Sequence, residues 1–250
     1  MLARLRRFEH KKKWILGPEY YTSQQEHAIR MSDTAVYSAT EASIASLICD
    51  TIAGYVDAPA ATITDGTACM GSNVIPFARA FKRVNAVEID RQQCSDLQYN
   101  VRAVPGCDNV YVYNMDIVGA CALHSLHHDV LYLDPPWGGH HYRDTSKLAL
   151  FLSGTSLADA CELWARKSRF IALKLPVNFN FEKFRRGHAA RPYREVFVRS
   201  IGYDNTEHAC VLPEHAALDK THQPIMVLMI LQSRASVVGV KRCVCIPHRA

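Results

Sequence analysis

Short apolar runs alternate with amphipathic segments over most of the chain. The apolar runs predict seven buried strands, at residues 61–65, 84–89, 110–113, 130–134, 170–175, 195–201 and 225–231. Apolar residues at helical spacing predict intervening helices at 73–81, 91–101 and 156–167. Such alternation is typical of an α/β fold in which helices cover both faces of a mainly parallel sheet.

The first part of the chain has a different pattern. Residues 1–36 are charged and polar, with scattered aromatic side chains and no sustained period, which predicts an N-terminal extension with short helices. Thr40 is a suitable N-cap, and isoleucines then recur at helical spacing as far as Gly54, so a helix should pack against the rest of the protein. We therefore predict an extension and packing helix over 1–55 and one larger domain over 56–250.

Composition narrows the class of protein. The 250 residues are 48% hydrophobic and carry a net charge of +5, which fits either a polyanionic partner or a solvated basic surface. The nine cysteines are odd in number and form no C-x-x-C pair, which favours reduced thiols in an intracellular protein over a disulfide framework or a zinc site. The apolar run at 225–231 is far shorter than a membrane-spanning helix, so no membrane span is predicted.

The fourth predicted strand ends in a rigid aromatic loop, Asp134-Pro135-Pro136-Trp137-Gly138-Gly139. Proline donates no backbone hydrogen bond and restricts the residue before it to extended geometry, so Asp134 should lie at the carboxyl end of its strand. In open parallel sheets that edge is where ligands bind. A carboxylate, two stiff prolines and an indole suit the binding of a planar base by its face and its amino edge.

Three further strand ends carry small or acidic residues. A turn of small residues at 65–73 follows the first strand, Glu88 lies at the end of the second, and Asp116 follows the third. Small residues let a ligand approach the backbone, and the acids are placed to bind ribose hydroxyls and an adenine amino group. The turn has neither G-x-G-x-x-G nor G-K-[ST], which disfavours a pyrophosphate cofactor and a nucleoside triphosphate. An adenosine-bearing ligand without a phosphate-binding turn suggests S-adenosylmethionine.

The chain resembles the class I S-adenosylmethionine-dependent methyltransferases. Its Pro135–Gly139 segment resembles the P-P-W-G-G motif of trimethylguanosine synthases, which methylate the guanine amino group of 7-methylguanosine RNA caps. Other segments that resemble this family are Lys13-Trp14, Tyr37–Thr40, Asp65–Asn73, Val87–Asp90 and Leu175–Asn178. The resemblance implies a Rossmann-like class I methyltransferase fold with a seven-stranded sheet, S-adenosylmethionine as cofactor, S-adenosylhomocysteine as product, and capped RNA as partner. It also implies a nuclear location for a cellular protein, or the host cytoplasm or nucleus for a viral one.

The resemblance assigns roles to individual residues. It places the reaction at Asp134, Pro135 and Trp137. It places the cofactor at Asp65, Thr67, Gly71, Asn73, Glu88, Asp116 and Asp134. The substrate contacts it implies are Lys13, Trp14, Tyr37, Trp137, His140 and Asn178.

The chain departs from the family's pattern at several positions. Cys69 and Ser72 stand where the family usually has glycine, Asp134 replaces a serine common in cellular members, and His140 stands where proline is usual. Asp134 brings the loop closer to the D-P-P-[WYF] signature of amino-methylating enzymes. Its carboxylate fits guanine but would fit adenine nearly as well.

Other functions stay open. One is methylation of another exocyclic amine, such as adenine in nucleic acid. A second is ribose 2′-hydroxyl methylation of caps, suggested by Asp134, Lys174 and Glu207 in that order, although a paired structural role for Lys174 is favoured. A third is a catalytically inactive cap- or RNA-binding module. No metal is expected, because the histidine pairs at 127–128 and 140–141 lack acidic or thiol partners at ligand spacing.

Overall fold

The computed structural model describes residues 29–120, 126–186, 190–203, 210–211 and 223–235. Within them the helices are α1 (Asp33–Ser38), α2 (Ala42–Ala53), α3 (Val74–Ala80), α4 (Arg91–Ala103), α5 (Ile117–Ala120), α6 (Leu157–Ala165) and α7 (Phe181–Arg185). A 3₁₀ helix spans Gly139–Asp144. The strands are β1 (Thr62–Asp65), β2 (Arg83–Glu88), β3 (Val110–Asn114), β4 (Val130–Leu133), β5 (Phe151–Leu152), β6 (Thr155–Ser156), β7 (Phe170–Leu175), β8 (Tyr193–Tyr203), β9 (Cys210–Val211) and β10 (Gln223–Ser233).

One sheet organises the molecule, with the strand order β3-β2-β1-β4-β7-β10-β8-β9. The first five strands in this order are parallel, whereas β10 pairs antiparallel with both β7 and β8. The predicted α/β fold with a mainly parallel sheet is therefore confirmed, and each of the seven predicted strands is present. The two-residue strand β9 adds an eighth at one edge, and β5 and β6 form a separate hairpin.

Alternating strand residues face two apolar layers, as the pleat of a strand requires. Tyr132 and Ala172 pack on one face with α2, α3 and α4, while Leu133 and Leu173 pack on the other with α5 and α6. Strands β4 and β7 are buried along their whole length. This double coverage explains why both strands are almost continuously apolar in sequence.

The predicted packing helix is present, but its start was predicted wrongly. Helix α2 begins at Ala42 with Glu41 in the N-cap position, whereas Thr40 uses its hydroxyl for contacts with other parts of the chain. Gly54 ends the helix as predicted, and the isoleucine stripe is buried against the sheet. The described residues 29–53 thus share a core with the strands, while the proposed division at residue 55 stays a prediction.

Two structural findings, on membrane spans and on metal sites, apply to the described residues only. In the ranges given above, no helix is both long enough and apolar enough to cross a membrane. The same ranges contain no cluster of three or more histidine, cysteine, aspartate or glutamate residues arranged to hold a metal ion.

Candidate active site

A cavity of about 750 Å³ lies at the carboxyl ends of the parallel strands, and the segment before α2 borders it. Strand β4 places the loop 134–139 there, and the turns after β1, β2 and β3 supply the neighbouring wall. The cavity is lined by seven residues that the sequence assigned to the site: Tyr37, Thr67, Glu88, Asp116, Asp134, Pro135 and Trp137. The fold thus brings together residues from Thr67 to Trp137, because parallel strands end at one edge of the sheet, and α1 adds Tyr37.

Asp65 ends β1 and is almost completely buried beneath the turn that follows. Its Oδ1 accepts the backbone N–H of Thr67 at 3.1 Å. The pKa of the Asp65 carboxyl is raised to about 8, mainly by burial and also by the nearby carboxylates of Asp134 and Glu88, while the Thr67 N–H and Lys174 oppose the rise. Asp65 is therefore a carboxyl group whose charge depends on which other charges enter the cavity.

Close packing at the turn requires glycine at position 66. A Cβ on Gly66 would lie 2.7 Å from Leu133 Cδ2 and 2.8 Å from Ile117 Cγ1. Gly71 has φ of +104°, which side-chain-bearing residues rarely adopt. Gly66 lines the cavity and Gly71 does not, so the assignment of Gly71 to the cofactor stays a prediction.

Glu88 holds the turn in place from the end of β2. Its Oε2 accepts the N–H of Cys69 at 2.9 Å, and its Oε1 accepts the N–H of Asp90 at 2.8 Å. Each carboxylate oxygen keeps a second lone pair, so these bonds leave capacity for a ligand hydroxyl. Burial raises the pKa of the Glu88 carboxyl, while the backbone N–H groups oppose the shift.

Cys69 has a left-handed backbone with φ of +47°, at the position where the sequence departs from the family's glycine. This conformation explains the usual glycine, because a Cβ is strained there. The thiol donates to Oε1 of Gln93 at 3.1 Å, and burial raises its pKa to about 12. Cys69 is consequently a packed, uncharged side chain of the turn.

Asp116 follows β3 and starts α5. Its Oδ1 accepts the backbone N–H of Val118 at 2.9 Å. The residue also lines the cavity, beside Met115 and Ile117. Its fixed carboxylate and apolar neighbours form a surface suited to the edge and face of a purine.

Asp134 is held by two contacts from two other parts of the chain, and one of them leads on to a third part. Its backbone N–H donates to Oγ1 of Thr67 at 2.7 Å, which ties the loop to the cofactor turn. Its Oδ2 accepts Nζ of Lys174 at 2.6 Å, and Lys174 also donates to Oγ1 of Thr40 at 3.0 Å. Burial raises the pKa of the Asp134 carboxyl, and the Lys174 ammonium opposes that rise.

Thr40 joins the segment before α2 to the same network. Its Oγ1 accepts Nδ2 of Asn73 at 3.0 Å, and its backbone N–H donates to Oγ of Ser72 at 3.1 Å. Asn73 therefore lies behind the cavity wall and fixes the turn to the segment at 37–41. Its Oδ1 has no hydrogen-bond partner among the described residues.

Trp137 lies half-buried at the outer part of the cavity and packs against both apolar layers. Its ring meets that of Tyr142 edge to face, with centroids 5.2 Å apart at 71°, and Lys174 Nζ lies 5.2 Å from the indole centroid. Arg143 Nε donates to the Tyr142 hydroxyl at 3.2 Å, and the exposed Arg143 also lines the cavity. The loop therefore presents an ordered aromatic group beside a cationic rim.

Several assigned residues lie elsewhere or cannot be placed. Asn178 Nδ2 donates to the carbonyl oxygens of Tyr142 and Thr145 at 2.7 and 2.6 Å, so it fixes the 3₁₀ helix from outside the cavity. Its assignment as a substrate contact stays a prediction. Lys13, Trp14 and Glu207 lie outside the described residues, and the side chain of His140 is also not described.

Sequence reasoning gave no role in the site to Thr40, Tyr142 and Arg143, and it favoured a structural role for Lys174. For Lys174 a usable signal existed. The strand Phe170–Leu175 is otherwise apolar and is buried on both faces, so its lysine is buried as well. A buried ammonium requires a partner of opposite charge. The position of Asp134 at the end of the adjacent strand supplies that partner.

Comparison with known proteins assigns this chain to a family. The family model for RNA cap guanine-N2 methyltransferases matches residues 60–212, more than half of the chain. The uncharacterized protein L320 of Acanthamoeba polyphaga mimivirus is 34% identical over 125 residues, which make up 49% of this chain and 48% of that protein. The chain thus spans about half the length of this relative.

Solved structures share the fold at low sequence identity. A proposed RNA methyltransferase, PH1948, from Pyrococcus horikoshii has a TM-score of 0.55 at 13% identity, covering 89% of this chain and 98% of that one. An S-adenosylmethionine-dependent O-methyltransferase from Thermotoga maritima, TM0748, has a TM-score of 0.51 at 13% identity, covering 78% and 66%. The chain shares its fold with these methyltransferase structures and belongs to the RNA cap guanine-N2 methyltransferase family.

Proposed function

We propose that this protein transfers a methyl group from S-adenosylmethionine to the exocyclic 2-amino group of 7-methylguanosine at RNA 5′ caps. The observation that carries the proposal is the position of the loop Asp134–Gly139. Its carboxylate and its indole line the same cavity as the turn after β1 and the acids after β2 and β3. A methyl donor and an amine acceptor could therefore meet within one enclosed volume.

The chemistry of the cavity fits the cofactor. Glu88 and Asp134 line it, Asp65 is buried close to both beneath the turn after β1, and Lys174 is their neighbouring cation. S-adenosylmethionine is cationic at its sulfonium and ammonium groups, so this acidic region is complementary to it. Asp65 would face the cationic part, Glu88 the ribose hydroxyls and Asp116 the adenine.

When bound, S-adenosylmethionine supplies a methyl group on a sulfonium sulfur, which keeps the electron pair of the broken S–C bond. The chain's part is to present the amine. The Asp134 carboxylate and the Pro135 carbonyl would accept its two hydrogens and turn the nitrogen lone pair towards the methyl carbon. The nitrogen loses one proton to water as the N–C bond forms. Positioning and electrostatics supply the acceleration in this scheme.

Selectivity for a methylated cap would come from Trp137. A guanine methylated at the 7-position is cationic, and cation–π attraction to an indole adds about 0.5 to 2 kcal/mol to stacking. Arg143 at the cavity rim would meet the cap phosphates. Arg185 and Arg186 are two other basic residues that could serve as phosphate contacts. They are less suited to this task, because Arg185 forms two 2.8 Å bonds to Glu195 and Arg186 lies near Glu182.

The alternatives differ in what they require of Lys174. Ribose 2′-hydroxyl methylation requires its ammonium to face the acceptor oxygen, yet two of its N–H bonds are directed to Asp134 and Thr40. This arrangement favours an amine acceptor held by Asp134. An adenine amine or an inactive binding module would use the same contacts, and experiment separates them.

The decisive assay incubates the protein with S-adenosylmethionine labelled in its methyl group and four acceptors: 7-methylguanosine-capped RNA, guanosine-capped RNA, uncapped RNA and DNA. We expect label only in the first, in a cap nucleotide identified by digestion as 2,7-dimethyl- or 2,2,7-trimethylguanosine. Free 7-methylguanosine diphosphate should inhibit the transfer. Label in adenine or in ribose, or binding of cofactor and cap without transfer, would contradict the proposal.

A further inference from the structure

Lys174 is a charged residue in the middle of the sheet. Only 7% of its side chain is exposed, against 14% for Asp134, and the two groups are 2.6 Å apart. A surface counterpart is Lys147 with Glu182, at 2.8 Å but with both side chains 65% exposed. Removing water from two charges costs several kcal/mol per ion, so a pair at this depth needs precise geometry to be tolerated.

The geometry around the pair is indeed specified by several contacts. Thr40 accepts a second bond from the ammonium, and Thr67 fixes the backbone of Asp134. These contacts leave Oδ2 of Asp134 occupied by Lys174, while Oδ1 accepts no hydrogen bond from the described part of the chain. Because Asp134 lines the cavity, this second oxygen is available to a ligand there.

We infer that Lys174 is a positioning residue for methyl transfer: it keeps Asp134 ionised and turns one carboxylate oxygen towards the acceptor amine. The inference rests on the proposed function, since it assumes an amine held by Asp134. Lys174 touches neither the base nor the cofactor in this scheme. Its effect on the reaction passes through Asp134.

The charges that face Asp134 explain why a cation is needed. Asp65 from β1 and Glu88 from β2 are negative neighbours when ionised, and the buried side chains of Cys69 and Tyr132 lie in the same region. Burial raises the pKa of the Asp134 carboxyl, and Lys174 is the cation that opposes this. Without it, the carboxyl would take up a proton and present an O–H donor to an amine that also needs an acceptor.

The test compares Lys174→Met, Lys174→Arg and the surface control Lys147→Met in full-length protein. For each we would measure kcat and KM for 7-methylguanosine-capped RNA from pH 5.5 to 9.5. Lys174→Met should move the acidic limb of the kcat profile up by at least about one pH unit, with activity partly restored at high pH. Lys174→Arg should keep the limb near its original pH, and Lys147→Met should match the wild type.

A comparison in a second background covers the case in which Lys174→Met does not fold, since that change leaves a buried carboxylate without its cation. With Asp134→Asn as background, adding Lys174→Met should change kcat by less than about threefold, because no carboxylate remains to be ionised. A loss of about tenfold or more in that background would overturn the inference, since Lys174 would then act on its own account.

Carboxyl titration separates the inference from the function on which it rests. The Asp134 signal in ¹³C-labelled protein, assigned with Asp134→Asn, should titrate at higher pH in Lys174→Met or Lys174→Gln than in the wild type. An unchanged titration, or an unshifted acidic limb with a uniform fall in kcat, refutes the positioning role. Absence of wild-type transfer to capped RNA refutes the proposed function instead, and the titration still gives a result.

Discussion

Cofactor binding should release a proton from Asp65. This carboxyl is buried at the end of β1, and its pKa is raised to about 8 by burial and by its acidic neighbours. A sulfonium and an ammonium brought close to it would favour the ionised form and lower that pKa. The cofactor should therefore bind more tightly as the pH rises from about 6 towards 8.

The size of the effect follows from the raised pKa. A carboxyl with a pKa of about 8 is about nine-tenths protonated at pH 7 and about half protonated at pH 8. Full ionisation on binding would release about 0.9 proton per cofactor at pH 7 and about 0.5 at pH 8. Asp65→Asn removes the titrating group while keeping its shape and its acceptor for the Thr67 N–H.

The assay is calorimetry of S-adenosylmethionine binding, without RNA, in buffers with different ionisation enthalpies. The slope of the observed enthalpy against buffer enthalpy gives the protons exchanged, and the wild type minus Asp65→Asn isolates the contribution of Asp65. Asp96→Asn, a partly exposed carboxylate on α4 that does not line the cavity, is the matched control. Equal proton release by the wild type and Asp65→Asn at pH 7 would refute the reasoning, as would the absence of any release.

Three further predictions concern other parts of the structure. Trp137→Ala should lower kcat/KM for capped RNA at least about tenfold while sparing S-adenosylhomocysteine affinity, whereas Trp137→Phe should retain more activity; loss of cofactor binding in both would show that the loop is structural. Thr67→Val should destabilise the protein by about 1 to 3 kcal/mol in urea unfolding, because the N–H of Asp134 loses its acceptor, and Thr67→Ser should not. His128 is buried between Thr64 and Ser168, and burial lowers its pKa to about 4, so the unfolded state takes up its proton first as the pH falls. The contribution of His128 to the unfolding free energy should therefore fall by up to about 3 kcal/mol between pH 6.5 and 4. It is measured as the wild type minus a stably folded His128→Gln, a difference in which the opposite contribution of buried carboxyls such as Asp65 cancels.

The agreement between predicted and observed strands has a simple physical origin. The run at 170–175 was predicted with its observed bounds, because a strand buried on both faces is mostly apolar and Pro176, which donates no backbone hydrogen bond, follows its last residue. Strands β8 and β10 extend two residues beyond their predicted ends on each side. Their backbone ladder continues past the apolar residues, and hydrogen-bond pairing leaves no mark on side-chain pattern.

Two polar side chains have distant hydrogen-bond partners that no local sequence pattern indicates. Thr40 has the local signature of an N-cap, but its hydroxyl is engaged by Asn73 and by Lys174, which lies 134 positions away. Asn178 follows β7, and its amide donates to the carbonyl oxygens of Tyr142 and Thr145 in another loop, contacts that its sequence neighbours do not indicate. A short polar side chain has many local uses, and the fold selects among them.

The sequence by itself determined the alternation of strands and helices, the small-residue turn after β1 and the stiff aromatic loop after β4. These features depend on burial period, glycine and proline, whose effects act within a few residues. Only the tertiary structure decided the antiparallel direction of β10, the burial of Asp65 and the pairing of Asp134 with Lys174 across 40 positions. Charge state and hydrogen-bond partners depend on which groups share a volume without water, and chain folding alone brings those groups together.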